Sequence, residues 1–199
     1  VAAGERYVSG SPNLSAAVQG SNEFSPGDDV PVPVSIQNSG LLDYVYSYPN
    51  IITRVDLPNT AKLMVITLGA GNAPVSVRSD EQMIGDLAGG GRIPVSFRVQ
   101  IAPDAPAGTY NLPLRVRYTY LRQADQYGLD MVQYFYEDED VEIPLTIRIL
   151  PRIVPEVESV KTEHLNVGTE GYVRVSLKNI GNENGRDAAA TIAGPPGSP

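Results

Sequence analysis

Few side chains in this sequence can do chemistry. The chain has no cysteine and one histidine, His164, so thiolate nucleophiles, disulfides, iron–sulfur clusters and cysteine-type zinc sites are excluded. Any Ser-His-Asp arrangement has a single imidazole to draw on, and His164 sits between Glu163 and Leu165 with no ligand spacing around it. Gly89-Gly90-Gly91 lacks the following lysine of a phosphate loop and reads as a turn. Glu137-Asp138-Glu139-Asp140 puts four acids in a row, with Asp125 and Asp130 nearby. A hard cation needs several oxygens converging at roughly 2.3–2.6 Å. Consecutive residues of a strand point to opposite faces, so the run reads as a solvated acidic turn that discourages edge pairing. Calcium is the one metal it brings into question, and no other cofactor is implied.

Tyrosine is the remaining chemical signal: there are 11, against 3 Phe and no Trp. Tyr44, Tyr46 and Tyr48 share one face of an extended segment. Tyr118, Tyr120, Tyr127, Tyr134, Phe135 and Tyr136 surround the acidic run. Tyrosine combines apolar area with a polar tip, which suits contact surfaces. One reading makes Tyr44, Tyr46, Tyr48, Tyr127, Tyr134 and Tyr136 a face for a protein neighbour or a glycan. The other makes the later group a long hairpin whose tyrosines pair across strands. Asn13-Leu14-Ser15 is a glycosylation acceptor triplet, relevant only to an exported chain.

The elements that must carry these residues have a period of two. Val30, Val32, Val34 and Ile36 alternate, as do Ile93 to Ile101, Tyr110 to Tyr120 and Val141 to Ile149. Such alternation marks strands with one face on a core. Lys62–Leu68 is apolar on both faces and reads as a central strand; residues 80–88 read as a loop or one helical turn. Gly and Pro clusters separate the strands, which argues for an antiparallel β-sandwich. Pro31 and Pro33 lie two apart, so their missing N–H groups share one side, where the strand needs an open edge or a bulge. Pro94, Pro113 and Pro144 read as lying near strand starts. The net charge of −8 over 199 residues makes duplex nucleic acid an unsuitable partner. No run of about 18 apolar residues is present to span a membrane.

An internal repeat divides the chain. Residues 26–40 align without a gap on residues 167–181, at an offset of 141. Gly27 falls on Gly168, Asp29 on Glu170, and Val32, Val34 and Ile36 on Val173, Val175 and Leu177. Asn38 and Gly40 fall on Asn179 and Gly181. Each copy reads as a turn glycine at positive φ, a strand, and an Asn-x-Gly stop in which the Asn side chain bonds the backbone. The expected domains are residues 10–150 and 151–199, joined by the proline-bearing linker Leu150-Pro151-Arg152. A second module this short is incomplete as a free-standing domain.

Ala105-Pro106-Ala107-Gly108-Thr109-Tyr110-Asn111-Leu112 resembles the corner before strand F of immunoglobulin-like domains, in which a tyrosine hydroxyl bonds back to the backbone. Leu112 stands where the antibody-type cysteine would be, so Gly108 and Tyr110 carry the likeness. With the Asn-x-Gly stop, the pattern is similar to archaeal S-layer-related proteins with immunoglobulin-like repeats. It is also similar to modules attached to secreted α-galactosidases and to CARDB adhesion domains. The resemblance implies an all-β, immunoglobulin-like antiparallel sandwich at the cell surface or outside the cell. It also implies a non-catalytic structural role in a tandem array, with protein neighbours, including copies of itself, as partners. The alternative is a carbohydrate-binding or adhesion accessory. Residues 121–140 depart from the pattern, because such modules have a short turn there; the stretch reads as a long hairpin insertion in the first sandwich, ahead of the start of a second similar module.

Overall fold

The computed structural model describes residues 5–45, 56–127, 131–163, 168 and 170–191. It is an all-β sandwich. The strands are β1 (Glu5–Gly10), β2 (Leu14–Val18), β3 (Glu23–Phe24), β4 (Asp29–Asn38), β5 (Leu42–Val45), β6 (Ala61–Leu68), β7 (Val75–Val77), β8 (Gln82–Leu87), β9 (Arg92–Ile101), β10 (Gly108–Tyr127), β11 (Met131–Ile149), β12 (Pro155–Glu163) and β13 (Tyr172–Asn179). One layer is the antiparallel sheet β2-β4-β9-β7. The other is built on the β10–β11 hairpin, flanked by β3, β6–β8, β1 and β5. The alternation sets which side chains lie between the layers. Val32, Val34, Ile36, Phe97, Val99 and Ile101 come from one sheet, and Ile66, Leu112, Leu114, Leu145, Ile147 and Ile149 from the other. Among the described residues this core holds none beyond Ile149. Leu112 and Val34 are fully buried in this core. β1 belongs to the larger sheet, between β10 and β5.

Every proline inside the first unit's long strands lies off the hydrogen-bond ladders that matter. Pro33 O accepts from Gln19 N, so Pro31 and Pro33 face the β2 side of β4. β2 pairs only as far as Val34, and Pro31 meets the open edge expected of it. Pro113 and Pro144 stand opposite each other in the hairpin. Pro113 O accepts from Gly69 N, so its missing donor points away from β11, and that of Pro144 points away from β10. Both positions are therefore mid-strand rather than near strand starts. They are tolerated because they form a non-hydrogen-bonded pair.

Two further expectations change. The 80–88 segment is neither loop nor helical turn but strand β8, paired with β6. Gly85, at φ 87°, and the neighbouring register shift break its alternation and hide the strand from periodicity. β6 is not buried on both faces. A bulge between Ala61 and Met64 turns Leu63 outward at 66% exposure, leaving Ala61, Met64, Ile66 and Leu68 inside. The long hairpin expected in this region is the outer part of β10 and β11: residues 121–127 and 131–136 continue these strands, β1 pairs with residues 123–126 of β10, and Leu121 and Ala124 form a small second core with Leu42 and Val132.

Leu63 lies at φ 51°, a left-handed conformation that costs a branched side chain roughly 1–2 kcal/mol and glycine little. Leu63→Gly is predicted to stabilise the protein by about 0.5 kcal/mol after glycine's entropy cost, read as a raised urea midpoint. A lowered midpoint contradicts the bulge geometry.

Candidate functional site

The most constrained polar residue is Asn38, the only fully buried polar side chain among the described residues. β4 ends on it. Its Oδ1 accepts from Asn13 N at 3.1 Å and Gly40 N at 2.9 Å. Its Nδ2 donates to Asn59 O at 2.7 Å and Leu87 O at 2.9 Å. Its backbone closes two more bonds with Gly90 and Gly91. One carboxamide thus ties the start of β2, the turn after β4, the approach to β6 and the end of β8. Gly40 is required here because a Cβ would sit 2.8 Å from Pro12 Cα.

Asn179 repeats half of this clamp. Its Oδ1 accepts from Val154 N and Gly181 N, both at 3.0 Å, and a Cβ on Gly181 would lie 2.8 Å from the Arg152 carbonyl carbon. Val154 is Asn13 displaced by the offset of 141, and Arg152 is Ser11. The strand registers agree as well: Leu14 faces Asn38 as Pro155 faces Asn179, and Ala16 faces Ile36 as Val157 faces Leu177. Gly27 and Gly168 stand at φ 86° and 83°. The repeat is therefore structural, and it extends back to residues 11–13 and 152–154.

Asn182, absent from the sequence reading, joins the two units. Its Oδ1 accepts from Arg152 N at 2.6 Å, and its Nδ2 donates to Ala105 O at 2.8 Å and Leu150 O at 3.1 Å. The expected corner lies beside this joint: Tyr110 Oη donates to Pro106 O at 3.1 Å, in an exposed position. Gly108 packs at ordinary distance on the Tyr110 ring, 3.5 Å from where its Cβ would be, so nothing there demands glycine.

The tyrosines separate into groups. Tyr118 and Tyr120 face the core and form a tilted ring pair at 6.2 Å; burial, with Glu139 nearby, pushes the Tyr118 hydroxyl up to about 12. Tyr134 and Tyr136 are 43% and 49% exposed on β11, two residues apart and so on one face. Their partners across the hairpin are Ala124 and Leu121, not other tyrosines. The Tyr136 hydroxyl donates to Asp56 at 2.8 Å, and Asp56 pairs with Lys62 at 2.8 Å. Tyr44 lies in β5 opposite Ser9 and Tyr127 lies opposite Met131. Tyr46, Tyr48 and His164 fall outside the described residues.

The acidic run is mid-strand rather than a turn, and three of its members have side-chain partners. Asp140 pairs with Arg115 at 2.8 Å, Asp138 accepts from Thr119, and Glu137 accepts from Tyr120 and lies 3.6 Å from Arg122. Glu139 lies beside Tyr118 and lines, with Leu63, Arg117 and Asp138, an open groove of about 400 Å³. Among the described residues no three acids or histidines converge as a metal site, and no helix is long and apolar enough to cross a membrane. The fold and clamp define an all-β sandwich with a second, similar hairpin appended. No protein-family model matches the chain, and no curated protein matches it.

Two predictions follow from these contacts. Asn38→Ala leaves two N–H groups and two carbonyls without their partner and is expected to cost about 3 kcal/mol or more in urea unfolding; a loss below 1 kcal/mol contradicts the clamp. The Lys62 ammonium, then the Tyr136 hydroxyl, hold the Asp56 carboxyl below its usual 3.8. A depressed carboxylate stabilises above its unfolded value and loses that contribution as pH falls through the folded value. Asp56→Asn should therefore be less stable than the parent at neutral pH, with the gap closing below pH 3.8. A gap that persists there contradicts the assignment.

Proposed function

We propose that this chain is a non-catalytic structural and interaction segment of a cell-surface or secreted protein of the S-layer-related kind. Its work is to hold β-sandwich units end to end. The observation that carries this reading is the joint: Asn182, in the turn after β13, bonds to the loop at Ala105 and to the linker at Leu150. The chain leaves the first sandwich at Ile149 and re-enters the same clamp geometry at Val154, five residues on. A proline-bearing linker fixed by three hydrogen bonds transmits orientation rather than acting as a free tether. The corner at Tyr110 and the Asn-x-Gly stops support membership of an immunoglobulin-like array.

Adhesion to glycans is the second reading, favoured by the two exposed rings of Tyr134 and Tyr136 on one face. Apolar ring faces with hydroxyl tips suit sugar stacking. It is distinguished by whether Tyr134→Ala and Tyr136→Ala abolish retention on immobilised polysaccharide without changing stability.

For the leading reading, Asn182→Ala should leave the melting of the first unit unchanged and loosen the joint. Residual dipolar couplings would then report independent alignment of residues 155–180 in the variant and shared alignment in the parent. Shared alignment in both, or independent alignment in both, contradicts the proposal.

A further inference from the structure

The bulge in β6 is built around a residue that does not suit it. Leu63 stands at φ 51°, where glycine sits without steric cost and a branched side chain does not. Its side chain gives the core nothing, since it is 66% exposed. Two polar contacts nevertheless fix the segment there. Leu63 N donates to Asp86 Oδ1 at 2.9 Å, and the Lys62 ammonium lies 3.7 Å from Asp86 Oδ2. The bulge alone would be served better by glycine. Strain that is held in place with no gain in packing points to a role outside the fold.

The face around Leu63 has a definite chemistry. Ile66 and Val116 are buried in the core, so by alternation Val65 and Arg117 point outward. Val65 stands opposite Arg117 on one side and Met83 on the other, and Met83 is 82% exposed. The groove of about 400 Å³ runs over this surface, with Leu63 and Val65 on its β6 side and Asp138 and Asp140 on its β11 side. The cations of the face are already taken: Arg115 by Asp140, Arg117 by Glu81, and Lys62 by Asp56. Asp138 accepts only from the neutral Thr119 hydroxyl. Glu142 stands opposite Arg115, whose guanidinium is turned to Asp140. An apolar centre is thus rimmed by acid in excess of base.

We propose that the outer face at Leu63, Val65 and Met83 is a docking surface for a basic segment of a partner protein. An apolar side chain of that segment seats against Leu63 in the groove, and flanking lysines or arginines pair with Asp138 and Glu142. Charge complementarity selects this occupant. An acidic segment would meet like charge, and a neutral one would desolvate carboxylates without giving them a cation. The surface rests on the bulge and its neighbours, and is independent of the joint at Asn182.

The test titrates the full nitrogen-15-labelled chain with a blocked peptide in which a leucine is flanked by lysines. One control peptide has glutamates for the lysines, and another has glycine for the leucine. The expected result is saturable shifts centred on the amides of Leu63, Val65, Met83 and Thr119, with the lysine–leucine peptide alone and weakening with salt. Leu63→Gly should weaken this binding roughly tenfold while raising the urea midpoint, a split that a purely structural residue would not give. Leu63→Asn, which keeps a side chain and tolerates the same φ, should weaken it likewise, and Asp138→Asn by roughly threefold. Equal binding of either control peptide, absence of localised shifts, or full affinity in Leu63→Gly overturns the proposal. Shifts of the same amides that grow with protein concentration alone also overturn it, because a second copy then covers the face.

Discussion

A carboxamide taken out of water has two donors and an acceptor oxygen to satisfy, and each left unmade costs about as much as a mutation that unfolds a marginal domain. Asn38 fills all of them with backbone from four separated segments. That constraint orders the end of the sandwich. The lead-in at Asn13, the turn at Gly40, the approach at Asn59 and the end of β8 at Leu87 must arrive together. A neutral carboxamide suits the task because it offers donors and acceptor at once; an aspartate would set a charge against two carbonyls. Gly40 follows from the clamp, since only a residue without Cβ lets the chain pass Pro12 so closely.

The rest of the sandwich hangs on the β10–β11 hairpin, whose strands pair from Gly108 with Ile149 to Tyr127 with Met131. Its lower part forms the floor of the core and its upper part continues past the sandwich, taking β1 as a new neighbour. The acidic run lies just before this continuation, on the stretch of β11 opposite residues 117–120 of β10, and is matched by Arg115, Thr119, Tyr120 and Arg122 across the hairpin. These are exposed contacts, which set register and discourage wrong pairing more than they add stability. The −8 net charge thus has part of its source in strand pairing rather than in a metal or ligand site.

Strand identity was legible wherever alternation was unbroken, as in β4, β9, β10 and β11, because one buried face imposes a period of two. It was lost where a bulge intervenes. Gly85 in β8 and Leu63 in β6 each shift the register, and the residues after them change face. Proline placement was readable at Pro31 and Pro33. It was misread at Pro113 and Pro144, because a non-hydrogen-bonded pair is a property of two strands together. The Asn-x-Gly stop was readable because two residue types recur at fixed spacing. Its partners were not, since Asn13, Asn59 and Leu87 contribute backbone atoms, and Val154 shares no side-chain chemistry with Asn13. The joint at Asn182 escaped for the same reason: both of its acceptors are main-chain carbonyls.

The same clamp serves two units to different extents. In the first, a second sheet lies over the strands that the clamp organises. In the second, Asn179 keeps the Val154 and Gly181 bonds, and its amide turns to the nearby Glu183 carbonyl at 2.6 Å. The most direct measurement is hydrogen exchange at the Asn38 side-chain amide by nitrogen-15 NMR, with Asn179 as internal reference. The account predicts that the Asn38 amide exchanges only through global unfolding, with the same denaturant dependence as the core amides of β9, while Asn179 exchanges through local opening. Exchange of the Asn38 amide as fast as that of Asn179, independent of global stability, would contradict the claim that this residue holds the fold together.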